Sequence, residues 1–321
     1  MLLFFIMNKI TISLTLPPTS KGQRLDIAIA TVLPEHSRAR IQQWIKDGHL
    51  LLNSKPCKSR DKAVGGEQIA IDAPAIAQHS YDAEDIPLNI IHSDADIIVL
   101  NKSIGLVAHP AAGNYNGTLL NALLHHFPEL RQVPRAGIIH RLDKDTSGIL
   151  VVARNLTAHT KLTAALQARQ LKREYLALVQ GYITAGGNIE TNIGRHPRSR
   201  TKMAVVTNGK AARTHYRIAE RLSEHTLLRV TLDTGRTHQI RVHMAYLHHP
   251  IVGDQTYGKL RLPKGASETI KQQLRSFKRQ ALHAHKLGFS HPNSNDYCEF
   301  TADLPEDMEN LLISLRASNN V

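Results

Sequence analysis

The chain has 321 residues, 42% hydrophobic and 21% charged, which excludes the disordered and fibrous classes and gives room for about two domains, each with its own core. Its 40 Lys and Arg against 27 Asp and Glu leave a formal charge of +13, which calls for a polyanionic partner. Two isolated cysteines, Cys57 and Cys298, exclude a disulfide framework, and no apolar run reaches the ~18 residues of a membrane span; a cytoplasmic location is expected. The opening MLLFFIM is too short for a signal peptide and lacks a cleavage site, and Met7 is the preferred start.

Residues 1–20 read as an N-terminal extension. Ser37 is placed to cap a helix in which Ile41, Trp44 and Ile45 share one face and Gly48 ends the run. The opposite face carries Arg38, Arg40, Gln42 and Lys46. A strand at Leu50–Leu52, a turn at Asn53 and Ser54, and a second strand at Gln68–Asp72 follow. A small α/β module over 21–73 is therefore expected, with a linker at 74–86, where an Ala/Pro-rich stretch gives way to acidic residues. Cations on a helix beside the basic loop of Lys55, Lys58, Arg60 and Lys62 suit phosphate contacts. The order RLD, SRARIQQWIKDG, LLLNSKP and GGEQIAID resembles the S4 RNA-binding domain. That resemblance implies RNA contacts at Ser37, Arg38, Arg40, Gln42 and Lys46.

Residues 87–321 form the larger expected domain. In HRLDKDTSGILVVARN, His140–Asn155, a polar turn at Asp143–Gly148 leads into a buried strand at Ile149–Ala153. Asp143 at that mouth, with Arg141 and Lys144 beside it, suits a nucleophile or base; an Asx-turn is the plainer use of the same carboxylate. KREYLALV reads as a strand with Tyr175, Ala177 and Val179 on one face, and a core tyrosine would look the same. In DTGRTHQIRVH, Thr237 is the expected helix cap and Ile240, Met244 and Leu247 form a buried stripe. Arg241 lies beside that stripe and needs a carboxylate partner if buried. The basic run Arg195–Lys202 reads as an RNA-facing loop, His140 as structural, and Lys102 and His109 carry no assigned chemistry.

Together GIIHRLDKDTSGILVVA, KREYLALV, TGRTHQIRVHMAYLHHPIVGDQTYG and ALHAHKLGFSHP resemble the pseudouridine synthases of the ribosomal large-subunit type, from about Pro87 to Phe300. With an S4 module ahead, the D-type branch is the nearest, and the C-type a close relative. The resemblance implies an α+β fold on a mixed, mostly antiparallel sheet and isomerisation of uridine in large-subunit (23S) rRNA. It implies that Asp143 is the catalytic aspartate, Arg241 its basic partner and Tyr175 the residue stacked on the base. Ile240 would lie against the base, and Arg141 would fill the space left when the nucleotide flips out. A monomer acting on rRNA or an assembling large subunit is expected, with no membrane partner. The alternatives are a tRNA-directed synthase and a non-catalytic RNA-binding assembly protein. No GxxxxGK[ST], GxGxxG or HExxH string occurs, so neither a nucleotide cofactor nor a metal is expected. His283 and His285 share a strand face but lack an evident third ligand.

Overall fold

The computed structural model describes residues 9–34, 36, 38–74, 81–110, 114–199 and 201–317. It falls into two compact units, Met1–Ser80 and Tyr81–Val321.

The N-terminal unit runs β1 (Lys9–Thr15), α1 (Leu25–Val32), α2 (Arg38–Lys46), β2 (Leu50–Leu52), β3 (Lys55–Pro56) and β4 (Gln68–Pro74). Its sheet has the order β1-β4-β2-β3. Ile41 and Trp44 of α2 pack with Leu25 and Ile29 of α1 against Leu50, Ile69 and Ile71. The turn after β2 places Asn53 and Ser54 at φ 48° and 64°, the left-handed pair that a tight hairpin needs. The expected extension at 1–20 is corrected here. β1 pairs antiparallel with all of β4, from Lys9 opposite Pro74 to Thr15 opposite Gln68. The alternation of Ile10, Ile12 and Leu14 explains this, since those side chains pack on the unit's core. Met1–Asn8 and Ser37 lie outside the described residues, and with them the start at Met7 and the Ser37 cap and contact.

The expected linker at 74–86 is also shortened. Residues 75–80 lie outside the described residues, whereas Asp82 accepts at its carbonyl from Asn121 Nδ2 at 2.8 Å. The Glu84 carboxylate likewise takes the Gly117 N–H at 2.9 Å, so 81–86 are tied to the larger unit.

That unit runs β5 (Asn89–Ser93), β6 (Ile97–Lys102), α3 (Leu119–His126), β7 (Ser147–Ala153), α4 (Leu156–Gln167), β8 (Lys172–Gln180), β9 (Gly187–Arg195), β10 (Met203–Val205), β11 (Lys210–Leu222), β12 (His225–Leu232), α5 (Gln239–Tyr246), α6 (Glu268–Ser276), β13 (Leu282–Ser290), β14 (Tyr297–Thr301) and α7 (Glu306–Ala317). The sheet order is β10-β9-β11-β12-β8-β13-β7-β6-β5, with β14 also on β13. Every residue of β7 is buried, as a strand covered on both faces requires. Among the named strand pairs only β7 and β13 run parallel, and only at His283 opposite Ser147 and Ala284 opposite Gly148. Beyond that point β14 replaces β7 beside β13. Gly148 makes this junction possible: at φ 118°, a Cβ there would lie 2.3 Å from the Ala284 carbonyl oxygen. The junction sits at the end of the loop that carries Asp143.

Candidate active site

The Asp143 loop is held through its backbone. Lys102, at the end of β6, is 1% exposed, and its ammonium donates to the carbonyls of Ser103 at 2.7 Å, Leu106 at 2.9 Å and Lys144 at 3.0 Å. The Gly105 N–H reaches the same Lys144 carbonyl at 3.0 Å. Burial pushes the Lys102 amine down to about 8, against the pull of Asp145 and Asp143. On the other side Gln280 Nε2 donates to Thr146 Oγ1 at 3.0 Å, and Ser147 Oγ donates to His283 Nδ1 at 2.9 Å. A carboxylate on a loop fixed this way has little freedom to wander from its partner.

That partner is Arg241 on α5. Arg241 Nη1 donates to Asp143 Oδ2 at 3.1 Å, while Nε and Nη2 fork onto Asp254 at 2.7 and 3.0 Å. The Asp254 side chain is fully buried and that of Asp143 is 21% exposed. Asp254 also accepts the backbone N–H groups of Thr256 and Tyr257 at 2.9 and 3.1 Å. Burial acts against the charge of Arg241, but Asp254 first and Asp143 second outweigh it and hold the guanidinium above its ordinary range. Asp254 thus aims one free edge of Arg241 at the cleft, where Asp143 meets it.

Helix α5 does not begin as its sequence suggests. Thr237 is exposed and is not its cap; His238 occupies that position in the left-handed region, φ 56°, without a side-chain cap bond. Gln239, the first residue of the helix, instead ties it to its surroundings through its side-chain amide. Its Oε1 accepts from Thr234 Oγ1 at 2.8 Å and Arg236 N at 2.9 Å, and its Nε2 donates to the Arg213 carbonyl and Thr214 Oγ1, each at 2.9 Å. One turn on, His243 lies 2.8 Å from Thr214 Oγ1. These bonds fasten α5 to β11 and set the angle at which Arg241 leaves the helix.

His238 Nε2 stands 3.9 Å from Asp143 Oδ2. Its Nδ1 lies 2.7 Å from the Tyr257 hydroxyl, which accepts the Met203 N–H at 2.8 Å. Burial lowers the His238 pKa against the opposing charge of Asp143. Asp143, Tyr175, Ile240, Arg241, Arg141 and His140 line one cleft of about 700 Å³, within the range of a small-ligand pocket. Tyr175 is 7% and Ile240 4% exposed, whereas Arg141 is exposed. Burial raises the Tyr175 hydroxyl above its ordinary range. It also drives His140 down to about 3, so His140 is neutral. The stretch TGRTHQIRVHMAYLHHPIVGDQTYG holds Asp254, His238, Tyr257 and Gln239, but nothing local to it marks them as site residues.

In the N-terminal unit Arg38 and Gln42 turn inward as well as outward. Arg38 Nη2 lies 2.9 Å from the fully buried Asp26, Arg24 Nε reaches it at 3.0 Å, and Gln42 donates to it too. Burial alone would raise this carboxyl, but the three donors outweigh it and hold Asp26 well below the usual carboxylate range. The Arg40 guanidinium lies 5.1 Å from the centre of the Trp44 ring, and Lys46 is exposed. In the basic run, Lys202 donates to the Thr256 carbonyl at 2.9 Å. Among the described residues, Asp94, Asp96 and His291 come close enough to share a cation. His291 Nδ1, however, accepts the N–H groups of Asn293 and Ser294, each at 3.3 Å. Its proton then sits on Nε2, 3.2 Å from Asp94, which leaves no lone pair for a metal. Both nitrogens of His283 are likewise engaged, by Ser147 and the Ala302 carbonyl.

The profile described as RNA pseudouridylate synthase matches residues 96–246, and that of the S4 domain matches 23–69. The chain is similar to the ribosomal large subunit pseudouridine synthase D of Escherichia coli K12, at 51% identity over 97% of this chain and 96% of that one. It is similar to the protein of the same name from Vibrio parahaemolyticus, at 49% over 96% of each. Among solved structures, human RNA pseudouridylate synthase domain containing 1 matches with TM-score 0.53 and 26% identity, over 73% of this chain and 97% of that one. In human RNA pseudouridylate synthase domain containing 4 the fold alone is shared, with TM-score 0.57 and 23% identity over 71% and 93%.

Proposed function

We propose, from the premise that this chain belongs to the RNA pseudouridine synthase family and carries an S4 domain, that it converts uridine to pseudouridine in large-subunit rRNA with Asp143 as the reacting carboxylate. One observation carries the site assignment: Arg241, anchored by Asp254 on two nitrogens, presents its third to Asp143 in the cleft. A cation held in place without help from Asp143 is preorganised to orient that carboxylate toward a substrate. The rRNA substrate is supported by the names of the relatives and by the +13 charge.

In the reaction the bond from C1′ to N1 breaks, the uracil turns within the cleft, and C5 bonds to C1′. The C5 proton leaves and N1 takes one up, so no electrons are gained or lost. Asp143 is the group that meets the sugar or base, Tyr175 and Ile240 supply the faces against which the base lies, and Arg141, exposed at the rim, enters the space left in the RNA. His238 Nε2, 3.9 Å from Asp143 Oδ2, is near the same carboxylate without a hydrogen bond to it. The exposed Lys46 and the loop cations of the N-terminal unit hold RNA phosphates, in keeping with a cytoplasmic enzyme that acts on rRNA or on an assembling subunit.

Large-subunit rRNA labelled with tritium at uracil C5 tests the reading. Release on incubation is expected, with none from Asp143→Asn, while RNA affinity is kept. Absence of release from rRNA, alongside release from tRNA transcripts, would move the substrate to tRNA; turnover by Asp143→Asn would remove that residue from the chemistry.

A further inference from the structure

Arg241 and Arg279 are almost wholly buried and each is held by a carboxylate, Arg279 by Asp307 at 2.6 Å. Arg173 on β8 is as deeply buried, at 8% exposed, yet no hydrogen bond or ion pair reaches its guanidinium among the described residues. Its Nε is fully enclosed and unpartnered, and the side chain lines the same cleft as Asp143 and Tyr175. A buried charge without a partner is costly in the free protein, and that cost falls when an anion arrives.

We propose that Arg173 binds a backbone phosphate of the target nucleotide or of its immediate neighbour, inside the cleft; this rests on the reading of that cleft as the uridine site. Arg173 lies two residues before Tyr175 on the same strand, so both side chains leave the same face of the sheet. Its charge acts on both Tyr175 and His140. Gly235 lets the facing loop lie against the guanidinium without filling the space beside it: a Cβ at that position would come within 2.9 Å of Arg173 Nη1. The acids lining the cleft are already engaged, Asp143 by Arg241 and Asp233 by His215 at 3.0 Å. Arg141, Arg169 and Arg236 line it too, so what is missing from this cleft is negative charge. A flipped nucleotide draws its own phosphates in behind the base, and a phosphodiester supplies a full charge and acceptor oxygens to a guanidinium fork.

The test uses the full chain, with Arg173→Gln and Arg173→Lys, and an rRNA fragment containing a modified uridine. Affinity is measured in the Asp143→Asn background, so that nothing turns over. Arg173→Gln is expected to weaken binding about 10- to 100-fold and to reduce the slope of log affinity against log salt by about 0.7 to 0.9. Arg173→Lys recovers part of both. With Asp143 restored, the loss falls on KM rather than kcat, and the melting temperature of Arg173→Gln is unchanged or higher, because an uncompensated buried charge has gone. Unchanged affinity and slope would overturn the proposal. So would a fall in kcat at saturating RNA with affinity and slope intact, which would put Arg173 on the uracil itself, or a lower melting temperature with RNA binding intact, which would make it structural. Turnover by Asp143→Asn alone would instead count against the site, while the salt slope of Arg173→Gln would still be read.

Discussion

Two carboxylates share Arg241, and their roles separate under mutation. Asp254 is fully buried and accepts from Arg241 Nε, Arg241 Nη2, Thr256 N and Tyr257 N. Asp254→Ala strands a buried guanidinium and two N–H groups, and loss of one partner of a buried pair costs about 3–5 kcal/mol. For a unit of the size of Tyr81–Val321, at roughly 2–4 °C per kcal/mol, the melting temperature should fall by about 6–20 °C. Asp143 makes one bond of 3.1 Å to the same arginine and is partly exposed. Asp143→Asn keeps an acceptor for Nη1 and leaves the Asp254 fork untouched, so its cost is about 0–1 kcal/mol. Calorimetry with tritium release on both variants distinguishes them: both lose turnover, but only Asp254→Ala loses stability. Equal melting temperatures for the two variants, whether both high or both low, would refute the view that Asp254 anchors and Asp143 reacts.

The N-terminal unit offers a pH test read through Trp44, the only tryptophan, which is buried there. Asp26 has a depressed folded pKa against ~3.9 unfolded; its contribution is therefore full above ~4 and lost as pH falls toward the folded value. The stability advantage of wild type over Asp26→Asn should shrink below pH ~4, and an advantage that persists there would contradict the assignment. Lys102 runs the other way. Its folded pKa near 8 lies below ~10.4 unfolded, so the unfolded chain binds more protons between them and stability rises with pH. Urea unfolding should show wild type gaining about 2 kcal/mol on Lys102→Met from pH 7.5 to 9.5, and a flat difference would place the amine elsewhere. Finally, Lys46→Gln should flatten the salt dependence of RNA binding, whereas Arg38→Gln should chiefly lower the Trp44 unfolding midpoint, because Arg38 serves the buried Asp26. Equal salt effects from the two would show Arg38 to be a phosphate contact after all.

What could be read from sequence was what is local. The polar turn before β7, the alternation of β8, the two N-terminal strands read at Leu50–Leu52 and Gln68–Asp72, and the apolar face of α2 each declare themselves within a dozen residues. Strand β1 carried the same alternation, but its partner lies some sixty residues on and nothing beside it marks a turn. Thr237 looked like a cap because threonine is a good one; the helix instead starts at His238 without a side-chain cap bond and is fastened by Gln239 to Thr214 and Arg213 on β11, which no window around 237 contains. Lys102 grips the Asp143 loop from 42 residues away, and a buried ammonium that satisfies carbonyls looks in sequence like any surface lysine.

The two cleft arginines show where that limit matters most for function. By type and setting Arg173 and Arg241 are alike: each is a basic residue beside apolar ones, and each is buried. Arg241 finds two carboxylates, so the group Asp143, Arg241 and Asp254 sums to one negative charge and the arginine is no longer available to RNA. Arg173 finds none. On the proposed reading the cleft holds an acid at its chemical centre and still attracts a polyanion, because the cation that restrains the acid is not the cation proposed to meet the phosphate. The +13 of the whole chain brings RNA to the surface, but which arginine is spent on the fold and which is kept for the substrate is decided by the placement of Asp254, thirteen residues beyond Arg241.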